Sequence, residues 1–320
     1  MAVELSKLSL GCAQLGNLYR AIPEEEARAT VDTAWNLGVR YFDTAPHYGL
    51  GLSERRLGAA LARRPRDEFV VSTKVGRLLV ANDHPSGHDK EGFDVPATHR
   101  RVWDFSRDGI FRSIESSLDR LGLARVDIVY LHDPDNHRDE VYATGYPALE
   151  ELRSQGLVRA IGAGMNQSAM LADFARDTDM DVLMLAGRYS VLEQPALDDL
   201  LPVCAKRGIS VVAAGVFNSG LLSRATPASD AKYNYGDAPI ELVDRARRIA
   251  EVCDRHGTSL PAAAIAFPLG HPAIASVCIG ARGPGQVERN VALFREPPPS
   301  GLWEALKDEG LLRADAPVPA

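Results

Sequence analysis

Eight short apolar runs, each separated from the next by a longer stretch, constrain this chain more than any other feature. The runs are LSLGCA (8–13), RYFDT (40–44), FVVSTK (69–74), DIVYLH (127–132), RAIGAG (159–164), DVLML (181–185), ISVVAAG (209–215) and ASVCIGA (275–281). Segments with helical spacing alternate with them at 23–37, 52–63, 107–121, 146–155, 167–177, 196–207, 240–256 and 284–294. In the first of these, Ala27, Val31, Ala34 and Trp35 share a face. Pro23 and three glutamates suit its positive N-terminal end, and Gly38 stops it. Parallel strands need long crossovers, and a helix is the usual one, so this alternation predicts a (β/α)8 barrel. A doubly wound open sheet is the rival, but GCAQLG (11–16) lacks the middle glycine of a dinucleotide-binding turn.

The rhythm runs through all 320 residues without a repeat or a linker, which predicts one domain over 1–320. A net charge of −7 with no basic block argues against a nucleic-acid surface and suits a protein that handles small molecules. No window approaches eighteen uncharged apolar residues, and MAVELSKLSLG lacks the form of a signal peptide. A cytoplasmic protein without a membrane partner, monomeric or homodimeric, is expected. Cys12, Cys204, Cys253 and Cys278 are too scattered for a metal or disulfide framework and are expected as small buried residues, with no metal site.

Two stretches, 77–105 and 216–239, break the rhythm as long polar loops. Both follow the C-terminal end of a strand, where barrel enzymes build their sites, so they are expected to set substrate choice. Tyr233, Asn234 and Tyr235 are the candidate substrate-facing residues of the second loop, and a short helix is expected near 302–307.

Polar residues at strand ends carry the chemistry. Asp43 ends the second strand, Lys74 the third and His132 the fourth, and Tyr48 lies in the loop after Asp43. In a barrel all four would face one mouth. A tyrosine with a pKa near ~10 is a poor acid at neutral pH, but an adjacent ammonium lowers that value. An aspartate would hold the ammonium and balance its charge, and a histidine would orient a carbonyl or hydroxyl oxygen and donate or relay a proton. Together they could protonate an alkoxide as it forms, or deprotonate an alcohol as it loses hydride.

The chain resembles the aldo-keto reductase superfamily in the same residues. FDTAPHYG-x-G-x-SE-x-x-LG carries Asp43 and Tyr48, VVSTKVG carries Lys74, and DIVYLHDPD carries His132. The resemblance implies a nicotinamide cofactor, NADP or NAD, and a catalytic tetrad of Asp43, Tyr48, Lys74 and His132. It also implies that CIGARGPGQVERN holds the adenosine end through Gly280, Ala281, Arg282, Gln286 and Asn290, with Arg282 able to meet a 2′-phosphate. Asn166 would contact the nicotinamide carboxamide, and Phe217, Ser219 and Leu221 would be further cofactor contacts. His47, Trp103 and Tyr233 would face the substrate.

The middle of the chain departs from the commonest family pattern. GAGMN replaces the usual Ser-Asn, LAGRYS lacks the usual glutamine, and small residues precede Phe217. These departures resemble the branch of aldose 1-dehydrogenases and pyridoxal 4-dehydrogenase. That resemblance implies oxidation of the anomeric hydroxyl of an L-fucose-like or L-galactose-like sugar to its lactone. The alternatives are pyridoxal oxidation or general aldehyde and ketone reduction on the same tetrad, and, in another class, a cofactor-binding regulatory subunit.

Overall fold

A computed structural model describes residues 3–234 and 236–320, and Tyr235 lies outside them. Eight strands stand where the apolar runs predict them: β1 (Leu8–Gly11), β2 (Tyr41–Asp43), β3 (Val70–Val75), β4 (Ile128–His132), β5 (Ala160–Met165), β6 (Val182–Ala186), β7 (Ser210–Ala214) and β8 (Ile274–Gly280). Their hydrogen-bonded order, β1-β8-β7-β6-β5-β4-β3-β2, closes a barrel. The paired strands run parallel, with Asp43 opposite Ser72 and Lys74 opposite Tyr130. Every residue of β3 and β4 is buried, including the polar Ser72, Thr73 and Lys74 of β3.

Packing divides the chain into two compact units. The first comprises Met1–Met165, Thr178–Leu183 and Gly280–Glu288. It holds β1 to β5 and buries Tyr41, Phe42, Val71, Ile128, Val129 and Leu131. The second comprises Asn166–Asp177, Met184–Ile279 and Arg289–Ala320, and buries Val211, Val212, Phe267, Val277 and Trp303. Burying each large apolar side chain contributes roughly 1.5–3 kcal/mol. All four cysteines are buried. No helix among the described residues is long and apolar enough to cross a membrane.

The stretch 77–105 is more ordered than a long loop. Its ends form an antiparallel hairpin, Arg77–Ala81 with His99–Trp103. Its middle is tied to the first unit's N-terminal segment: Asp94 Oδ2 accepts from the Ala21 amide at 3.1 Å, and the Tyr19 amide donates to the Gly92 carbonyl at 2.8 Å. In 216–239 a two-residue hairpin pairs Lys232–Tyr233 with Gly236–Asp237. The expected tail helix spans Gly301–Asp308.

Candidate active site

The turn that follows β2 is built by main-chain contact. Gly49 has a φ of +63°, a conformation a Cβ opposes. A Cβ on Gly16 would fall 2.6 Å from the Tyr48 carbonyl carbon, and one on Gly49 would overlap the Gly16 carbonyl. With no side chain on either residue, the Tyr48–Gly49 peptide lies directly against Gly16. Helix Leu52–Leu61 then starts behind it, where Ser53 Oγ donates to the Cys12 carbonyl at 2.7 Å.

This turn brings the four sequence-predicted residues together. Lys74 Nζ donates to Asp43 Oδ2 at 2.6 Å, to the Thr44 carbonyl at 3.0 Å and to Tyr48 Oη at 3.1 Å. The His132 ring stands edge-on to Tyr48, with centroids 5.9 Å apart and planes at 89°. Asp43, Lys74 and His132 are all buried.

Behind them lies a layer that the motif reading missed. Ser72 Oγ donates to Asp43 Oδ1 at 2.7 Å, Tyr41 Oη pairs with Ser72 Oγ at 3.0 Å, and Tyr130 Oη pairs with Tyr41 Oη at 3.1 Å. Each of these residues lies two positions before a tetrad member on the same strand: Tyr41 and Asp43, Ser72 and Lys74, Tyr130 and His132. Side chains on a strand alternate between faces, so counting back by two would have found the whole layer.

Electrostatics correct one expectation. Burial lifts the Tyr48 phenol above its ordinary value, and the nearby Lys74 ammonium offsets this only in part. Burial works against the Lys74 ammonium, yet Asp43 and Tyr48 raise its pKa above the usual lysine value. At neutral pH the site therefore holds an ammonium beside a neutral phenol, rather than the acidified tyrosine expected from charge alone. Burial, followed by the positive charges of Arg77 and Lys74, pushes His132 well below its ordinary value. His132 is a neutral imidazole, which can orient an oxygen through its hydrogen bonds. The same causes push His47 down to about 2.

His47 stands 5.4 Å from the His132 ring and 5.2 Å from Phe93, a half-hidden position consistent with the substrate contact expected of it. Phe93 reaches in from the 77–105 segment, packs with Leu50 and Val95, and lies 6.0 Å from the Tyr48 ring. Trp103, also expected to face substrate, is 43% exposed. It stacks on Phe105 at 5.9 Å and lies under the Arg77 guanidinium at 4.4 Å, and Arg77 in turn bonds Asp133 Oδ2 at 2.6 Å.

The residues expected to hold a nucleotide fall in both units. In the first, a Cβ on Gly280 would sit 2.5 Å from Gln14 Oε1, and Ala281 is buried beside it. Gln286 Oε1 accepts from the Arg282 amide at 2.8 Å just before helix Pro284–Arg295. Arg282 Nη2 donates to the Leu18 carbonyl at 3.0 Å, so one arm of its fork is already engaged. In the second unit, Asn166 follows β5, and Phe217 precedes a short turn in which Asn218 and Ser219 both have positive φ. Leu221 is buried, and its amide donates to the Asn218 carbonyl at 3.2 Å. Buried side-chain atoms without a hydrogen-bond partner among the described residues include Gln14 Oε1 and Arg282 Nε in the first unit, and Asn218 Oδ1 and Asn290 Oδ1 in the second. Buried polar atoms are normally satisfied, so the first unit's orphans at Gln14 and Arg282 suit a polar ligand and fit the adenosine end of a nucleotide cofactor.

Tyr233 is occupied otherwise than expected. Its hydroxyl donates to Glu193 Oε2 at 2.6 Å, and its neighbour Asn234 accepts from Arg188 Nη2 at 3.1 Å.

Residues 7–307 match the sequence model of the Aldo/keto reductase family. The chain is 50% identical to a D-threo-aldose 1-dehydrogenase from Pseudomonas sp. over 309 residues, covering 95% of this chain and 94% of that one. It is 38% identical to a pyridoxal 4-dehydrogenase from Microbacterium luteolum, covering 96% and 95%. Among solved structures, the holo form of an aldo-keto reductase from Bacillus halodurans superposes with a TM-score of 0.77 at 27% identity, covering 98% of this chain and 94% of that one.

Proposed function

The chain belongs to the aldo/keto reductase family, and on that premise we propose that it oxidises the anomeric hydroxyl of an aldose to the lactone, with hydride passing to a nicotinamide cofactor. The observation that carries this reading is Lys74 Nζ, bonded at once to Asp43 and Tyr48, in a chain half identical to an aldose 1-dehydrogenase over nearly its full length. The family is one of nicotinamide-dependent oxidoreductases. The chain acts as a monomeric or homodimeric cytoplasmic enzyme, with one catalytic domain over 1–320, on an L-fucose-like or L-galactose-like sugar with NADP or NAD.

The residues then have distinct tasks. Tyr48 rests as a neutral phenol; in its phenolate form, reached by loss of its proton to solvent and stabilised by the Lys74 ammonium, its Oη takes the proton of the anomeric hydroxyl and returns to the neutral phenol. Asp43, itself braced by Ser72, keeps the Lys74 ammonium charged and in line with Tyr48. His132 and His47, both neutral, orient the sugar oxygen without competing for its proton. When bound, the cofactor supplies the hydride acceptor. Gly280, Ala281, Arg282 and Gln286 of the first unit would hold its adenosine end. Oxidation is the favoured direction because ring-opening hydrolysis removes the lactone.

A spectrophotometric scan of NAD and NADP against L-fucose, L-galactose, D-arabinose and pyridoxal tests the reading. It predicts reduction of the nicotinamide by at least one sugar, with kcat/KM above that for pyridoxal. Oxidation of pyridoxal alone would assign the chain to the second relative's chemistry and overturn the sugar reading.

A further inference from the structure

We propose that Arg101 is a positioning residue for Tyr48, gripped by Asp89 and acting through the His47 carbonyl. The inference rests on Tyr48 being the proton-transferring group. Arg101 sits in the middle of hairpin strand His99–Trp103, opposite Leu79. Its Nη1 meets Asp89 Oδ1 at 2.6 Å and its Nη2 meets Asp89 Oδ2 at 3.0 Å, with both side chains buried. The same Nη2 donates to the His47 carbonyl oxygen at 2.9 Å. That carbonyl belongs to the peptide leading into Tyr48, whose N–H donates to the Ala45 carbonyl at 3.1 Å. The peptide is therefore held at both ends, by Arg101 on its oxygen and by Ala45 on its nitrogen.

Further contacts show what this hold fixes. The Tyr48 carbonyl accepts from the Ser53 amide at 3.2 Å, which anchors the next peptide to the following helix. The Arg101 guanidinium lies 5.8 Å from the Phe93 ring, and Phe93 lies 6.0 Å from the Tyr48 ring, so one side chain steadies both the backbone of Tyr48 and the wall beside its phenol. Glu91 Oε1 approaches Arg101 Nη1 at 3.4 Å from the exposed side. A planar guanidinium can meet a carboxylate with two donors while reaching a third acceptor; a lysine ammonium lacks that fork. Buried ion pairs are weak evidence for stability because desolvation offsets their attraction, so holding a geometry is the better account of one placed here. A displacement of the reacting group on the order of 1 Å can cost ~100-fold in rate.

The test compares Arg101→Met, Arg101→Lys and the double variant Asp89→Leu with Arg101→Met, using whichever alcohol the unaltered enzyme oxidises best. The double variant removes both charges together and leaves none buried alone, so it keeps the measurement open if Arg101→Met does not fold. Expected in both Met variants are a kcat at least about tenfold lower, cofactor Kd within about twofold of the unaltered enzyme, and a larger solvent deuterium isotope effect as proton transfer becomes slower. Arg101→Lys should recover only part of kcat. Arg100→Met, an exposed neighbour on the same strand, should behave as the unaltered enzyme. A folded double variant with unchanged kcat and isotope effect would overturn the positioning role. Tyr48→Phe measured alongside keeps the two ideas apart: if it retains turnover, the reading of Tyr48 itself fails, whatever Arg101 does.

Discussion

Gly16 and Gly49 meet main chain to main chain under Tyr48: a Cβ on Gly16 would lie 2.6 Å from the Tyr48 carbonyl carbon and 2.8 Å from the Gly49 nitrogen. The pair sets how far Tyr48 can swing back toward Lys74. It is also why a glycine-rich turn has to follow Asp43.

Gly49→Ala should therefore be costly twice over. A left-handed φ of +63° strains an alanine by about 1–2 kcal/mol, and the new methyl must push Gly16 away. Denaturant titration should show a loss of about 2 kcal/mol or more. The kcat should fall with it, because the Lys74 to Tyr48 bond of 3.1 Å is stretched.

Ser72→Ala tests the layer behind the tetrad. It leaves Asp43 Oδ1 without the 2.7 Å bond from Ser72, and an orphaned buried acceptor costs about 1–3 kcal/mol. Turnover should fall about tenfold while cofactor affinity holds, as read from kcat and from cofactor titration. Unchanged kcat would mean Lys74 alone orients Asp43.

Acid should weaken the fold in part through two imidazoles of the site. His47 and His132 have pKa values depressed in the folded chain, chiefly by burial, so the unfolded chain binds more protons below the ordinary value of 6.5. Their contribution to stability is complete above about pH 6.5 and is lost as pH falls toward the folded values, by up to about 1.4 kcal/mol per pH unit for each. Chemical denaturation between roughly pH 7.5 and 5 reads this slope. His47→Asn should reduce it by up to about 1.4 kcal/mol per pH unit, whereas an unchanged slope would assign the acid loss to other groups.

Tyr233→Phe asks whether the hydroxyl bonded to Glu193 also serves the sugar. If the phenol is spent on Glu193, KM for the sugar should change by less than about threefold while proteolysis near residues 224–238 quickens, since a bond to a charged acceptor worth about 1.5–3 kcal/mol is lost. A large rise in KM with unchanged proteolysis would return Tyr233 to the substrate.

The barrel was legible because parallel strands buried on both faces read as short apolar runs, and helix Arg107–Leu121 was bounded correctly because Ser106 caps it and Gly122 ends it. Helix Leu260–Ala266 was not legible, for LPAAAIA is buried on almost every side and has no polar face to give a period. The hairpin inside 77–105 was hidden for the opposite reason: HRRVW carries partly exposed residues on both faces and shows no alternation. The tetrad could be read from residue type and strand position. What could not be read was the sign of the Tyr48 shift, because a string of letters shows the neighbouring charge but not the burial that outweighs it.

The central claim is that Tyr48 moves the proton while Lys74 and Asp43 serve it. Its most direct measurement is Tyr48→Phe, assayed by stopped-flow nicotinamide absorbance under saturating cofactor and sugar, with cofactor Kd determined in parallel. The account predicts a kcat lower by about a hundredfold or more with Kd within about twofold, the signature of a lost proton-transfer group in an otherwise intact site. Turnover within a fewfold of the unaltered enzyme would contradict it.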